Sequence, residues 1–179
     1  VTMLSIPRDT YTVIACTGGK HKINSSGWYG DSCVIKTVEK YLDIDIDYYA
    51  KINFLGIVDL VNNLGGVDVE VPYAFCEQNS KRQFGNEVVF VPTGKQTLNG
   101  EQALAYARNR HQWAIGDIAR NQHQQQVIEG MAHSLKGINS ITEFQTLLET
   151  VSNNIETNMT PEQMMSFYTV GKDMLANSS

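Results

Sequence analysis

Apolar and polar positions follow two periods along this chain, one typical of strands and the other of helices. Alternating or continuous apolar residues predict strands over residues 1–6, 48–52, 67–71 and 88–91, the last within a loop or hairpin over 76–94. Apolar residues at helical spacing predict helices over 32–42, 54–64, 99–107 and 117–135, followed by two more helices toward the C-terminus. Strands that alternate with helices indicate an α/β domain with a helical C-terminal third.

Polar residues mark where several of these helices begin. Asn53 is expected to cap the helix over 54–64, and Gly65 with Gly66 to end it in a left-handed turn. Other helix starts have the spacing of a capping box: Asn99 with Gln102, Ser140 with Glu143, and Thr160 with Gln163. Residues 7–28 are predicted to form a loop. Without repeats or linkers, the pattern favours a single domain over residues 1–179.

Size and charge narrow the function classes. The chain has 179 residues, 42% of them hydrophobic and 18% charged, which fits a globular domain with one core. Its formal net charge of −5 argues against nucleic-acid binding, which depends on neutralising phosphates. No run of 18 apolar residues is present, so no segment is predicted to span a membrane. Because the chain opens inside a predicted strand, we expect residues before Val1 that this sequence does not include.

The three cysteines and four histidines have no metal-site spacing. Cys16 and Cys33 flank one loop and can form a disulfide if the protein is exported, which would leave Cys76 free. The alternative is three unpaired thiols. We predict the Cys16–Cys33 disulfide.

The helix over 117–135 combines charged and apolar residues on one stripe. At about 100° per residue, Asp117, Arg120 and Gln124 lie within roughly 60° of each other. Ile128, Met131 and Leu135 continue that stripe, so we expect it to pack into the core and to end in a polar cleft. The simpler interpretation is an Asp117–Arg120 pair that only caps the helix.

Two further groups of residues suit a phosphate ligand. Arg108 and Arg110 would share a face of an extended segment, and a guanidinium fork matches phosphate geometry. Arg8 and Asp9 follow a predicted core strand, and ligands of open α/β sheets bind beyond strand ends. Taken alone, these residues also fit a helix C-terminus and an ordinary surface turn.

As an ordered set, these segments resemble the LytR-CpsA-Psr family of bacterial envelope phosphotransferases. The match covers most of residues 1–135 and is carried by the following stretches: Ser5-Ile-Pro-Arg-Asp-Thr10, His21-Lys-Ile-Asn-Ser25, Tyr48-Tyr49 with Asn53-Phe54, Leu64-Gly-Gly-Val-Asp-Val69, Leu98-Asn-Gly-Glu-Gln-Ala-Leu-Ala-Tyr-Ala-Arg108 with Arg110, and Asp117-Ile-Ala-Arg120 with Gln124.

The resemblance implies a three-layer α-β-α domain with a mixed central sheet, lying outside the bacterial cytoplasmic membrane. An N-terminal membrane helix, absent from this chain, would anchor it. The implied activity transfers a glycopolymer phosphate from a polyprenyl pyrophosphate carrier to a peptidoglycan hydroxyl. The lipid would occupy an apolar channel, and arginines with Mg²⁺ would hold the pyrophosphate. Such phosphoryl transfer depends mainly on positioning and charge stabilisation.

By position, the resemblance implies these site residues: Arg8, Asp9, Arg108, Arg110, Asp117 and Arg120 as catalytic, with the four arginines, Gln124, Lys22 and Asn24 binding the substrate. Asp117 would orient an arginine or assist a proton transfer, and Gln124 would donate to phosphate oxygens.

The chain departs from the family pattern at two points. The Asp ligands for Mg²⁺ are expected in segments before Val1, so no metal ligand is assigned here. His123 stands where many relatives have Arg, which weakens one phosphate contact although a neutral imidazole still donates one hydrogen bond. Two alternative functions are a non-catalytic module that binds pyrophosphate lipid or glycan, and transcriptional attenuation, a label that the family has carried. The acidic charge and the absence of a basic recognition helix oppose the second.

Overall fold

The computed structural model describes residues 4–83, 85–109, 116–135, 137–138 and 140–176, without the side chains of residues 86, 116–119 and 172–176. The chain forms two compact units, Val1–Tyr49 and Ala50–Ser179, which we call unit 1 and unit 2. Both mix helices with strands, so the predicted α/β class is confirmed. The prediction of a single domain over residues 1–179 stays a prediction.

Unit 1 is built from a short ladder, a 3₁₀ segment and one helix. Strands β1 (Tyr11–Val13) and β2 (Lys20–Lys22) pair antiparallel, with Tyr11 opposite Lys22. A 3₁₀ helix follows over Ile23–Tyr29, and α1 covers Asp31–Leu42. The Cys16–Cys33 disulfide ties the β1–β2 turn to α1, which confirms the predicted pairing, and Cys76 is a free, exposed thiol.

Within its described residues, unit 2 contains three antiparallel ladders, five α-helices and two 3₁₀ helices, Gly85–Glu87 and Ser152–Asn154. The strands are β3 (Ala50–Ile52), β4 (Val67–Val71), β5 (Phe75–Glu77), β6 (Val89–Val91), β7 (Gly94–Leu98) and β8 (Ile155–Thr157). Strand β3 pairs with β8, β4 with β7, and β5 with β6. The helices are α2 (Phe54–Asn63), α3 (Gly100–Arg108), α4 (Gly116–Leu135), α5 (Ile141–Val151) and α6 (Pro161–Ala176). The predicted mixed sheet is represented here by two-stranded antiparallel ladders.

The core of unit 2 lies where α2, α3 and α4 cover the β4–β7 and β5–β6 ladders. On β4, Val67, Val69 and Val71 are buried while the alternate residues are exposed, as the period-two pattern predicts. Tyr106 of α3 is the largest fully buried side chain and joins these valines in one apolar cluster. Burial of this face fixes the position of the end of α3, where Arg108 lies.

The predicted caps are confirmed by their hydrogen bonds. The Asn53 side chain accepts from the Gly56 N–H at 2.8 Å and starts α2. Asn99 and Gln102 form both hydrogen bonds of a capping box at the start of α3. Gly65 and Gly66 have φ values of +80° and +106°, the left-handed conformation that glycine adopts without strain.

The N-terminal strand prediction is wrong where the structure can test it. Residues 1–3 lie outside the described ranges, and residues 4–6 have no ladder partner among the described residues. Instead, β1 and β2 form inside the predicted loop over 7–28. The ladder is only three residues long, and the hydrogen bond from the Ile14 N–H to the Gly19 carbonyl closes its turn. Strands of three residues are too short to show a clear alternation of apolar and polar side chains in the sequence.

The buried stripe of α4 is rotated from its predicted position. Arg120, His123, Val127 and Gly130 are buried, whereas Ile128, which was assigned to the core face, is 48% exposed. Gly130 lies against Val67 of β4, where an added Cβ atom would come within 3.1 Å of the Val67 Cβ atom, tighter than ordinary side-chain packing. This close approach selects the face of the helix that packs inward. Among the described helices, none is both long and apolar enough to cross a membrane.

Candidate functional site

In unit 1, Asp9 organises three of the predicted site residues. Its carboxylate lies 3.7 Å from the Arg8 Nε atom and 3.4 Å from the Lys22 Nζ atom, and it accepts a hydrogen bond from the Asn24 side chain at 3.4 Å. Backbone hydrogen bonds, including one from the Asn24 N–H to the Arg8 carbonyl, extend the β1–β2 ladder to this point. We call these four residues the Asp9 cluster.

The Asp9 cluster faces solvent. The side chains of Arg8 and Lys22 are 56% and 60% exposed, and that of Asp9 is 42% exposed. Ion pairs with this exposure contribute little to stability. They do hold two cations close together, which leaves a net positive charge available to an anionic ligand.

In unit 2, Arg108 ends α3 and is held by a neighbouring loop. Its Nη1 atom donates to the Asn79 carbonyl at 3.3 Å, and its Nη2 atom lies 3.5 Å from the Gln78 Oε1 atom. Its Cζ atom is 4.9 Å from the centre of the Phe54 ring, within range of a cation–π interaction. The guanidinium is therefore positioned before any ligand arrives.

The loop over residues 78–83 is itself fixed by side-chain hydrogen bonds. The Asn79 Oδ1 atom accepts from the N–H groups of Lys81 and Gln83, both at 3.0 Å. The Ser80 N–H and hydroxyl both donate to the carboxylate of Glu101 on α3. Because the loop is tied to the helix that carries Arg108, both parts of the site are expected to move together.

On α4, Gln124 and Arg120 approach the same end of α3. Gln124 donates from its Nε2 atom to the Ala107 carbonyl at 3.3 Å, directly beside Arg108. Arg120 is only 5% exposed, so its guanidinium belongs to the packed interface and not to an open surface. The structure thus places Gln124 against the last turn of α3, which carries Arg108, and buries Arg120 on the adjoining helix.

His123 stacks on Tyr106 in this interface. The two rings have centroids 4.2 Å apart, and the Tyr106 hydroxyl donates to the Gln126 Oε1 atom at 2.5 Å. Burial raises the pKa of Tyr106 to about 12, with a smaller contribution from nearby Tyr73. Burial also lowers the pKa of His123, and a hydrogen bond with the Tyr106 backbone partly offsets that shift. Both rings therefore stay neutral at pH 7, and His123 serves as packing.

Two predicted residues cannot be located in this way. Arg110 lies outside the described residues, as does the side chain of Asp117, although the backbone of Asp117 belongs to the first turn of α4. Their roles stay predictions.

The sequence interpretation missed two contributors to the Arg108 environment. It assigned Phe54 to an apolar helix face, whereas its ring meets two guanidinium groups, and it gave no role to Arg82. The two adjacent cations Lys81 and Arg82 were the feature of the sequence that could have indicated a second basic segment near the site.

A groove of about 460 Å³ lies in unit 2 between β4 and α4. It is lined by Asp68, Val69, Glu70, Gln126, Glu129, Gly130, His133 and Ser134. Its acidic side chains do not suit a pyrophosphate or a lipid chain, and none of the predicted site residues lines it.

In the part of the chain that is described, no group of three His, Cys, Asp or Glu residues is arranged to hold a metal ion. The described residues therefore do not fit a complete Mg²⁺ site.

Comparison with known proteins identifies the family. The model of the LytR_cpsA_psr family matches residues 1–178. Bacillus subtilis (strain 168) polyisoprenyl-teichoic acid–peptidoglycan teichoic acid transferase TagU is 40% identical over 163 residues, which is 90% of this chain and 50% of that protein. The chain belongs to the LytR-CpsA-Psr family, as its motifs predict.

Solved structures agree with this assignment. The crystal structure of B. subtilis TagV matches with a TM-score of 0.79 and 34% identity, over 94% of this chain and 64% of that one. The structure of TagT bound to LI-WTA matches with a TM-score of 0.74 and 31% identity, over 93% and 60%. The chain thus has the fold of these proteins and spans about half the length of its curated relative TagU.

Proposed function

We propose that this chain is the catalytic part of an enzyme that transfers a glycopolymer phosphate from a polyprenyl pyrophosphate carrier to peptidoglycan. Its relative TagU is named as a transferase of teichoic acid from a polyisoprenyl carrier to peptidoglycan. The observation that carries the proposal is the pre-held Arg108, which lies beside Gln124 at the end of α3, in the segment that matches the family.

In the proposed reaction, a peptidoglycan hydroxyl oxygen bonds to the phosphorus that carries the sugar. The bridging P–O bond breaks, polyprenyl phosphate leaves, and the hydroxyl proton passes to Asp117 or to solvent. Within unit 1, Arg8 and Lys22 neutralise phosphate charge at the Asp9 cluster. Within unit 2, Arg108 and Gln124 donate to phosphate oxygens at the end of α3. Charge that is fixed before substrate arrives needs no reorganisation during the reaction, which is how such sites stabilise a transition state.

Arg120 has a different proposed role, because its guanidinium is buried. It supplies a fixed positive charge behind the site and orients the α3–α4 interface. Replacing a buried arginine leaves its partners unsatisfied, so substitution of Arg120 is expected to lower stability as well as turnover.

Mg²⁺, the position outside the cytoplasmic membrane and an N-terminal anchor are also part of the proposal. The Cys16–Cys33 disulfide supports an oxidising compartment, since such bonds persist outside the cytoplasm. Mg²⁺ supplies charge neutralisation of the pyrophosphate when it is bound. Because the described residues offer no complete ligand set, no step is assigned to the metal here.

The test uses the complete extracellular part of the protein with a polyprenyl pyrophosphate-linked donor and peptidoglycan fragments. Wild-type protein is expected to form the phosphodiester product, and Arg8→Ala to reduce the rate at least about a hundredfold because a phosphate contact is lost. EDTA should stop turnover. Donor binding that persists in EDTA without any product would favour the non-catalytic binding module, and salt-dependent DNA binding would favour the regulatory alternative.

A further inference from the structure

Side chains of α4 make hydrogen bonds to the last turn of α3. A helix leaves its last four carbonyls without partners of its own, and α3 ends at Arg108. Gln124 donates to the carbonyl of Ala107, and its neighbour His123 makes a hydrogen bond with the backbone of Tyr106. Two consecutive residues of α4 therefore hold the two residues of α3 that lie directly before Arg108.

His123 is the donor in its bond with Tyr106. Burial lowers the pKa of His123, whereas this bond raises it, which is the effect of a hydrogen bond that the ring donates. The acceptor is therefore the Tyr106 carbonyl. The Nδ1 atom of His123 has no hydrogen-bond partner among the described residues, so the donor is the Nε2 atom. With the proton on Nε2, Nδ1 is a bare acceptor.

The unpaired Nδ1 atom indicates that stability alone does not explain a histidine at this position. His123 is only 5% exposed, and its Nδ1 atom is closed off from solvent. A buried acceptor without a partner costs about 1–3 kcal/mol, and an apolar ring of similar size would avoid that cost. The imidazole is therefore explained by the one hydrogen bond that it does make.

Tyr106 is held by α4 at three points. The His123 ring stacks on the Tyr106 ring with centroids 4.2 Å apart, and the Gln126 Oε1 atom accepts from the Tyr106 hydroxyl. The third point is the bond from His123 to the Tyr106 carbonyl. The first two fix the tyrosine side chain, whereas the third acts on the backbone, two residues before Arg108.

We propose that His123 is a positioning residue for the transfer reaction, which acts through the Tyr106 carbonyl on the location of the Arg108 guanidinium. This inference rests on the proposed function, in which Arg108 binds phosphate. The Arg108 Nη1 atom reaches the Asn79 carbonyl at 3.3 Å, beyond the usual range of about 2.7–3.2 Å, so a small shift of the end of α3 would break that contact. The bond from His123 keeps the end of the helix within that reach.

The test separates the donor of His123 from its ring, in the complete extracellular part of the protein. His123→Phe keeps an aromatic ring against Tyr106 and removes both ring nitrogens, whereas His123→Gln offers an amide N–H near the position of Nε2. We expect His123→Phe to lower kcat/KM about tenfold, since reacting groups tolerate little displacement, and His123→Gln to retain most of the activity. His133→Phe makes the same change at an exposed position of α4 and should leave the kinetics unchanged.

Thermal unfolding distinguishes positioning from a loss of fold. In His123→Phe the Tyr106 carbonyl keeps its bond from the Asn109 N–H, at 3.4 Å, and the unpaired acceptor is gone. Its thermal midpoint should therefore stay within about 4 °C of wild type. His123→Leu, with a smaller side chain, repeats the test without crowding. Activity that follows the midpoint of the variants, and not the presence of a donor, would overturn the inference.

A double-mutant cycle tests the route through Arg108. In an Arg108→Lys background, which lacks the guanidinium fork, His123→Phe should cause a further loss of less than about twofold, because the group that it positions is already gone. A full loss in both backgrounds, or wild-type kinetics of His123→Phe, would contradict the inference and leave the proposed function standing.

If wild-type protein transfers no donor, the proposed function fails instead. Calorimetry with inorganic pyrophosphate then decides whether His123 positions Arg108 for an anion. Binding about tenfold weaker in His123→Phe than in His123→Gln would support that role, and equal binding in the two variants would overturn it.

Discussion

The Asp9 carboxylate holds two cations, its sequence neighbour Arg8 and the more distant Lys22. Its carboxylate contacts Arg8, Lys22 and Asn24 at 3.4 to 3.7 Å. Asp9→Asn keeps the shape and removes the charge that holds the two cations. We expect kcat to fall about tenfold as they lose their fixed positions, without a rise in KM, since one less negative charge favours an anionic donor.

The exposed pair Lys51–Glu156, at 3.1 Å on the β3–β8 ladder, provides the matched control for this prediction. Glu156→Gln removes a similar ion pair and should leave steady-state kinetics unchanged. Both variants should change the free energy of unfolding by less than about 1 kcal/mol, because surface ion pairs contribute little. An equal fall of kcat in the two variants would contradict a positioning role for Asp9.

His123 makes the stability of the protein depend on pH. Burial lowers its pKa in the folded state, so below the ordinary pKa of about 6.5 the unfolded chain binds the proton more readily. The stability contribution is therefore complete above that pH, and is lost as the pH falls below it. We expect the thermal midpoint to fall between pH 7.5 and 5.5 by more in wild-type protein than in His123→Gln.

The exposed His133, on the same helix, serves as the comparison. His133→Gln removes an exposed histidine and leaves the buried His123 in place, so it should follow the wild-type pH profile. Superimposable profiles for His123→Gln and wild type would show that His123 is not the group responsible.

At the scale of secondary structure, helices were predictable and short strands were not. The helical period and its caps fix α2 and α3 within a residue or two, because each signal is local. Strand β8 covers only Ile155–Thr157 and pairs with Ala50–Ile52 from the other end of unit 2. No local pattern in three residues encodes a partner so distant in sequence, so that ladder depends on tertiary packing.

The same contrast applies to the candidate site. The family motifs marked Arg108 and Gln124, and the structure places the Gln124 amide 3.3 Å from the carbonyl of Ala107, the residue before Arg108. The contacts of Arg82 and Arg108 with the Phe54 ring were missed because they require the 78–83 loop and the end of α3 to lie against the start of α2, which residue spacing does not reveal. The inward stripe of α4 was also misplaced, since close packing at Gly130, not the hydrophobicity of Ile128, selects it.

Close contact between α2 and α3 depends on Gly100. A Cβ atom there would overlap the carbonyl oxygen and the Cα atom of Val58, and backbone cannot move aside as a side chain can. We expect Gly100→Ala to destabilise the protein by about 3 kcal/mol through overpacking, and to displace Arg108 at the other end of α3. Denaturant unfolding measures the first effect, and donor KM the second.

Gly171 on α6 offers the opposite outcome for the same substitution. Among the described residues, and apart from the backbone of α6 itself, no atom lies within 4 Å of the position that an added Cβ would take. Gly171→Ala should therefore raise stability by up to about 1 kcal/mol through helix propensity alone. Destabilisation by both variants to a similar degree would indicate that Gly100 has no special role in the α2–α3 contact.

At the scale of the whole molecule, the Cys16–Cys33 disulfide lies entirely in unit 1. The two cysteines are 17 residues apart, and a crosslink of that span stabilises a folded state by about 3 kcal/mol through the entropy of the unfolded chain. Besides the disulfide, a hydrogen bond from the Ala15 N–H to the Thr37 Oγ1 atom at 3.1 Å joins the turn at residues 14–19 to α1, and the described part of unit 1 is small. Reduction should therefore loosen unit 1 first, and with it the arrangement of the Asp9 cluster.

Hydrogen exchange with and without a reducing agent tests this expectation. In reduced protein, amides of β1, β2 and α1 are expected to lose protection, while those of β4 and α3 keep theirs because the unit 2 core contains no disulfide. Cys16→Ser should reproduce the effect without reductant, and Cys76→Ser, at the exposed free thiol, should not. Equal loss of protection in both units would mean that the crosslink supports the whole chain, and would contradict a local role for it in unit 1.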